Sequence, residues 1–125
     1  MQESNPRRTL GALGEDCAER YLRTRGWRIL ARNARADGVE IDLVARRAGT
    51  VAFVEVKTRR GRSHGAPEEA VDARKRARLV RGAAAWLQQN RCRARRVRFD
   101  VIVCERGADG TWRLRHLEAA FDAEG

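Results

Sequence analysis

A chain of 125 residues is long enough for one sizeable core and short for two ordinary domains. Its formal charge of +10, with 35% charged residues, points to a polyanionic partner and sets aside the helical membrane-spanning class, since no apolar run approaches the length of a span. Cys17, Cys92 and Cys104 are odd in number and lack metal-type spacing, and the first eight residues lead into no apolar signal core. A reducing, cytoplasmic location is therefore expected.

In chain order, Thr9 is placed to cap a helix whose apolar positions Leu10, Leu13, Cys17, Tyr21 and Leu22 fall three to four apart, with a stop at Gly26. Glu15 borders that stripe and can lean toward a sheet, whereas Asp16 and Glu19 are expected in solvent. Residues 27–31 read as a first strand and 33–38 as a loop.

The most informative stretch follows. Val39-Glu40-Ile41-Asp42-Leu43-Val44-Ala45 and Val51-Ala52-Phe53-Val54-Glu55-Val56-Lys57 read as two strands of a hairpin, apolar on both faces as interior strands are. Gly49 suits a turn position with positive φ. Alternation puts Glu55 and Lys57 on one face with Val51 and Phe53, and Asp42 with Glu40 and Val44. Ile41, Leu43, Val54 and Val56 cover the other face. A four-residue loop would leave Asp42 diagonal to Glu55, about 7–8 Å away, while a two-residue turn at Ala48-Gly49 would set them opposite, roughly 4.5–5.5 Å apart. Either way two carboxylates and an ammonium meet at one end of an apolar hairpin. Such charges are costly unless paired or bound to a metal. A self-satisfying ion pair at a sheet margin is the plain explanation. A site for a hard divalent cation such as Mg²⁺ or Mn²⁺, held by Asp42 and Glu55 beside Lys57, is the chemically richer one.

Beyond the hairpin, residues 58–67 form a basic loop in which Arg59, Arg60 and Arg62 stand where a phosphate backbone would pass. His64 has no His or Cys partner at a ligand spacing. Asp72 is a plausible cap for a second helix reaching residue 89 or 90, with Leu79, Val80, Ala83, Trp86 and Leu87 buried. Lys75 sits on that stripe's edge and faces the same cleft, with Arg78 among the arginines around it. Residues 97–104 form another strand, the turn Gly107–Gly110 follows, and 111–117 form the last strand, on which His116 is expected to be structural. The order α-β-β-β-α-β-β argues for a mixed α/β sandwich of the α+β type in a single domain over 1–125, with 1–8 flexible and 120–125 a tail. Aromatic residues are only 6%, at core-like positions, so a base-stacking platform is not expected.

Lysine and arginine total 27, yet only Lys57 and Lys75 are lysines. A lysine kept against so strong a bias suggests a task for a compact ammonium able to change protonation.

Asp42 followed by Glu55-Val56-Lys57 resembles the core signature of the PD-(D/E)xK, or restriction-endonuclease-like, superfamily. The wider pattern is similar to the YraN-type family of small bacterial proteins over almost the whole chain. It includes Leu13-Gly14-Glu15, Arg32-Asn33, residues 40–45 and 53–59, Gly65, Pro67, Glu69-Ala70-Val71, Lys75, Arg78-Leu79 and Arg98-Phe99-Asp100-Val101. One departure is visible: the family's glycine directly before Glu-Ile-Asp is Val39 here, with Gly38 one earlier. The resemblance implies a central sheet flanked by helices. It also implies a metal held by Asp42, Glu55 and the Val56 carbonyl, with Lys57 assisting the nucleophile and Glu15 as an accessory acid. The expected function is a metal-dependent endonuclease acting on DNA rather than RNA, on branched or recombining substrates. The alternative is a non-catalytic nucleic-acid-binding accessory protein of the same fold. No membrane partner is expected, and a homodimer is compatible with either reading.

Overall fold

The computed structural model describes residues 9–61 and 72–122. The chain runs α1 (Leu10–Thr24), β1 (Arg28–Ala36), β2 (Val39–Arg47), β3 (Thr50–Arg60), α2 (Ala73–Gln89), β4 (Arg96–Arg106) and β5 (Trp112–Phe121). The five strands lie side by side in sequence order, antiparallel except for the parallel pair β3 and β4 joined through α2. This is the expected α+β order, with one helix on each face of a mixed sheet as the restriction-endonuclease-like resemblance implied. Among the described residues no helix is long and apolar enough to cross a membrane.

Local chemistry sets the helix ends. Thr9 Oγ1 accepts the Ala12 N–H at 3.0 Å and caps α1. At the other end Gly26, at φ 88°, donates to Arg23 O, and Trp27 donates to Leu22 O at 3.0 Å. That is a Schellman closure, and Trp27 and Leu22 pack in the same buried cluster as its apolar contact. Asp72 Oδ1 caps α2 by accepting the Lys75 N–H at 2.9 Å.

Each helix covers one apolar face. Ala18 and Leu22 of α1 lie with Leu43, Ala45, Ala52, Val54, Ile102 and Cys104. Leu79, Ala83 and Trp86 of α2 lie with Val39, Ile41, Val44, Val51, Phe53, Phe99, Val101 and Val103. The aromatic residues serve this core: Phe53 meets Trp86 edge-on at 5.9 Å, and Phe99 stacks on Phe121 at 5.0 Å. β5 therefore runs through residues 120–121, which the sequence assigned to a tail.

Several expectations are corrected. The chain continues as strand over 33–36, where a loop was expected, because Ala34, Arg35 and Ala36 pair with Ile41, Glu40 and Val39. Thr58, Arg59 and Arg60 belong to β3, paired with Cys104, Glu105 and Arg106, not to a loop. The β2–β3 turn is the two-residue one, since Arg47 pairs with Thr50 and Leu43 with Val54. Its left-handed residue is Ala48, at φ 53°, not Gly49. Gly49 is small for another reason: its carbonyl accepts from Arg95 N and Arg96 N, and a Cβ there would meet Arg95 Cδ at 2.8 Å.

α1 lies close on β3 at Gly14, where an added Cβ would overlap the Thr58 side chain and come within 3.0 Å of Thr58 Cβ. Rotating the threonine cannot clear its own Cβ, so Gly14→Ala must push the helix off the sheet. Its expected cost is about 1–3 kcal/mol of overpacking, beyond any gain in helix propensity. Gly11→Ala, with only Thr9 Oγ1 nearby at 3.9 Å, should be neutral or stabilising. Urea denaturation of the two variants checks this, and equal effects would contradict it.

Candidate functional site

The site begins where the sheet forks. β2 pairs with β3 only as far as Leu43–Val54, although β2 continues to Val39 along β1 and β3 continues to Arg60 along β4. The next rung would bring Asp42 opposite Glu55. Instead, Asp42 Oδ2 accepts the Val56 N–H at 2.8 Å, so a side chain takes a ladder donor.

The strands also slip here. Ile41 and Val44, three residues apart, both join the α2-side cluster, while Leu43 joins the α1 side. On β1, Ala31 and Ala34 do the same around Asn33, which is left-handed at φ 53°. The observed pairs Arg32–Leu43 and Ala34–Ile41 bracket Asn33 and Asp42. This moves Ile41 to the face opposite the one that strict alternation assigned. It also turns Asp42 into the fork instead of leaving it in line with Val44.

A cleft of about 220 Å³ opens at this point, lined by Val39, Glu40, Asp42, Glu55, Lys75, Arg78 and Leu79. Lys75 Nζ reaches from α2 to Glu55 Oε2 at 2.5 Å. Lys57 lies two residues beyond Glu55 on the same strand face; it is exposed and makes no ion pair among the described residues. Arg59 continues that face, whereas Arg60 alternates to the α1 side with Thr58. Arg62 and His64, with Gly65, Pro67 and residues 69–71 of the motif, lie outside the described residues.

Glu15 stands on α1, held at 3.5 Å from Arg32 Nη2. Arg32 also takes Asp16 Oδ1 at 2.6 Å, Glu19 Oε1 at 3.4 Å and the Ala12 carbonyl at 3.1 Å. Asp16 and Glu19 are thus not idle in solvent; with Arg32 they tie α1 to β1. Glu15 is nonetheless near enough to act on Asp42 electrostatically.

Asp42 carries the electrostatic signature of the site. Burial pushes its carboxyl up from an ordinary 3.8 to about 7, helped by Glu55 and Glu15, against the pull of the Val56 N–H and Lys75. The donor set suits a hard divalent cation: Asp42 Oδ1 and Glu55 Oε1 accept no hydrogen bond among the described residues, and the repulsion between the carboxylates is what such a cation would relieve. Among the described residues no group of three or more His, Cys, Asp or Glu side chains is arranged to hold a metal, so backbone oxygen and water would complete any shell.

A second polar cluster was not read from the sequence. Asp100, 1% exposed, accepts from Arg98 Nε at 2.9 Å and Nη2 at 2.8 Å, and from Ala119 N at 3.0 Å. His116 Nε2 lies 2.7 Å from Asp100 Oδ2, and its Nδ1 lies 3.0 Å from Tyr21 Oη. Burial alone would raise the Asp100 pKa, but these hydrogen bonds hold it below the usual value. The cluster ties β4, β5 and α1 together, and none of its members lines the cleft. The available signal was Arg98 and Asp100 at strand spacing beside an apolar run.

The family model described as "Uncharacterised protein family UPF0102" matches residues 14–104, which span Glu15, the fork and the whole of α2. The chain belongs to the UPF0102 family. A UPF0102 protein of Symbiobacterium thermophilum is 47% identical over 116 residues, covering 93% of this chain and 98% of that protein. One of Syntrophotalea carbinolica is 46% identical over 119 residues, covering 95% and 96%. A UPF0102 protein of Nocardia farcinica is 45% identical, covering 92% of this chain and 91% of its own length. Among solved structures, one described as Pyrococcus furiosus SfsA in complex with Ca²⁺ is 16% identical at a TM-score of 0.43. The match covers 87% of this chain and 62% of that one.

The raised Asp42 pKa has a consequence for stability. An acid whose folded pKa lies above its unfolded value costs stability as its charged form is imposed. Between about pH 4 and 7 the unfolded chain has lost this proton and the folded chain keeps it, so stability falls across that window and levels off above it. In chelator, Asp42→Asn should match wild type near pH 4 and exceed it by roughly 1–3 kcal/mol at pH 8. Denaturation midpoints at the two pH values measure this; a variant no more stable at pH 8 would show that Asp42 is not strained.

Proposed function

We propose that this UPF0102 protein is a cytoplasmic, metal-dependent endonuclease that hydrolyses phosphodiester bonds in DNA. The observation carrying this reading is the forked pair Asp42 and Glu55, with one carboxyl pushed to about 7 in a cleft edged by Lys75 and Arg78. Asp42 and Glu55, with the Val56 carbonyl, would hold Mg²⁺ or Mn²⁺, which when bound supplies a Lewis acid for water and phosphate oxygens. The Val56 N–H fixes one Asp42 oxygen and so orients the other. Lys57, on the Glu55 face and open to solvent, is placed to neutralise charge on an attacked phosphate or to give up a proton. Glu15 adds a third negative charge near Asp42. Arg78 and Lys75 line the same opening and suit phosphates of a bound strand; Arg59 follows on the Glu55 face of β3, with Arg60 on the other side of the strand and Arg62 in the segment that follows. Branched or recombining DNA is the substrate class to test first.

One observation favours the non-catalytic accessory reading: Glu55 is already paired through one oxygen with Lys75. Catalysis decides between the two. With Mg²⁺ or Mn²⁺ and a panel of linear and branched DNAs, the wild type should cut and Asp42→Ala should not. Lys57→Arg keeps the charge but is bulkier and holds its proton, so it should bind DNA as wild type while losing on the order of 10²–10³ in cleavage rate. Equal cutting by Lys57→Arg would remove Lys57 from the mechanism. Binding without cutting by the wild type would establish the accessory role.

Affinity gives a separate check. Log K should fall by about 0.9 per phosphate contact per log unit of salt. Because Arg59 shares the Glu55 face and Arg60 does not, Arg59→Ala and Arg78→Ala should each lower that slope more than Arg60→Ala. Identical slopes for all three would move the nucleic-acid path elsewhere.

A further inference from the structure

Lys75 is one of two lysines in a chain that otherwise uses arginine, and α2 supplies it, not the strand motif. Asp72 caps the Lys75 N–H, so the first turn of α2 fixes this residue at the edge of the cleft. From there the ammonium reaches a carboxylate that is mostly enclosed. Glu55 is 12% exposed and Lys75 44%, with 2.5 Å between Nζ and Oε2. That is the short end of a charge-assisted hydrogen bond. Arg74, Arg76 and Arg78 surround Lys75 in sequence, yet the position that touches Glu55 carries the ion with a single compact charge on a flexible stem. An arginine there could grip both Glu55 oxygens as a fork and would be hard to displace; a lysine grips one oxygen and can withdraw.

We propose that Lys75 is a built-in counter-ion that holds the place of a divalent cation on Glu55 and yields it when the cation arrives. This rests on the metal-dependent reading of the same site. Without a cation, Asp42 and Glu55 would face each other with no positive charge between them. Lys75 supplies a single charge from the solvent side, which offsets the Glu55 charge within the fork. A divalent ion neutralises both carboxylates at once and so outcompetes it. Lys75 is therefore a positioning residue whose presence weakens metal binding, and it acts through Glu55.

Calorimetric titration of the full chain with Mn²⁺ alone tests the exchange, comparing wild type, Lys75→Met and Lys75→Arg. Methionine keeps the stem and helix propensity without the charge, and the exposure of Lys75 means that the variant should fold. Lys75→Met should bind Mn²⁺ on the order of tenfold tighter than wild type, the worth of one charge-assisted hydrogen bond no longer broken. Lys75→Arg should bind more weakly than wild type. If the wild type binds Mn²⁺ and Lys75→Met binds equally or less tightly, Lys75 is a brace for the metal site and the exchange is overturned, while the metal reading stands. If neither wild type nor Lys75→Met binds Mn²⁺, the metal reading fails and the exchange falls with it.

Discussion

The hydrogen bond from the Val56 N–H to Asp42 is the contact on which the site depends. It replaces the backbone rung that would have continued the β2–β3 ladder, and so lets two central strands part without leaving that donor unsatisfied. Each strand then keeps its other neighbour: β1 holds β2, and β4 holds β3 to Arg60. The fork is therefore rigid on both sides. Its two carboxylates are held by the sheet, and a rigid strand positions functional groups more closely than a loop would.

The helices bring charge of opposite sign to this opening. α1 is drawn onto the sheet by Gly14 against Thr58, and by Arg32 collecting three acidic side chains and the Ala12 carbonyl. That placement puts Glu15 close enough to raise the Asp42 pKa. α2 answers with Lys75 and Arg78. Away from the fork, the Asp100 cluster does a different job. A buried carboxylate would be costly alone, but four hydrogen bonds from Arg98, His116 and Ala119 satisfy it, and through His116 and Tyr21 it locks α1 to the far strands. One buried carboxylate is thus held ionised for architecture and the other is kept reluctant to ionise, by the difference in their partners.

Arginine is the default cation throughout, and the structure shows what it does. Guanidiniums of Arg47 and Arg98 lie over the Trp27 ring at 4.4 and 5.1 Å from its centre, and Arg46 binds the Arg93 carbonyl at 2.7 Å. Much of the high positive charge is therefore built into the fold as well as offered to a partner. The two lysines stand apart from that use: both lie on β3 or α2 at the Glu55 face.

The sequence by itself determined the element order, both helix caps, the two-sided apolar hairpin and the identity of Asp42, Glu55 and Lys57 as an unusual charged group. Those features are local: a cap needs one side chain, and strand alternation needs only neighbours. What only the tertiary structure decided is everything that breaks the local rule. Alternation put Ile41 on the wrong face because the slip at Asp42 occurs together with Asn33 on another strand, and neither strand shows it alone. The partner of Glu55 was undecidable from sequence because Lys75 lies twenty residues away on a helix whose approach is set by core packing against Val39, Ile41 and Phe53. Arg32, Asp100 and His116 likewise acquire their roles from contacts across elements. A pattern along one chain cannot report the electrostatics of groups that meet only once the chain has folded.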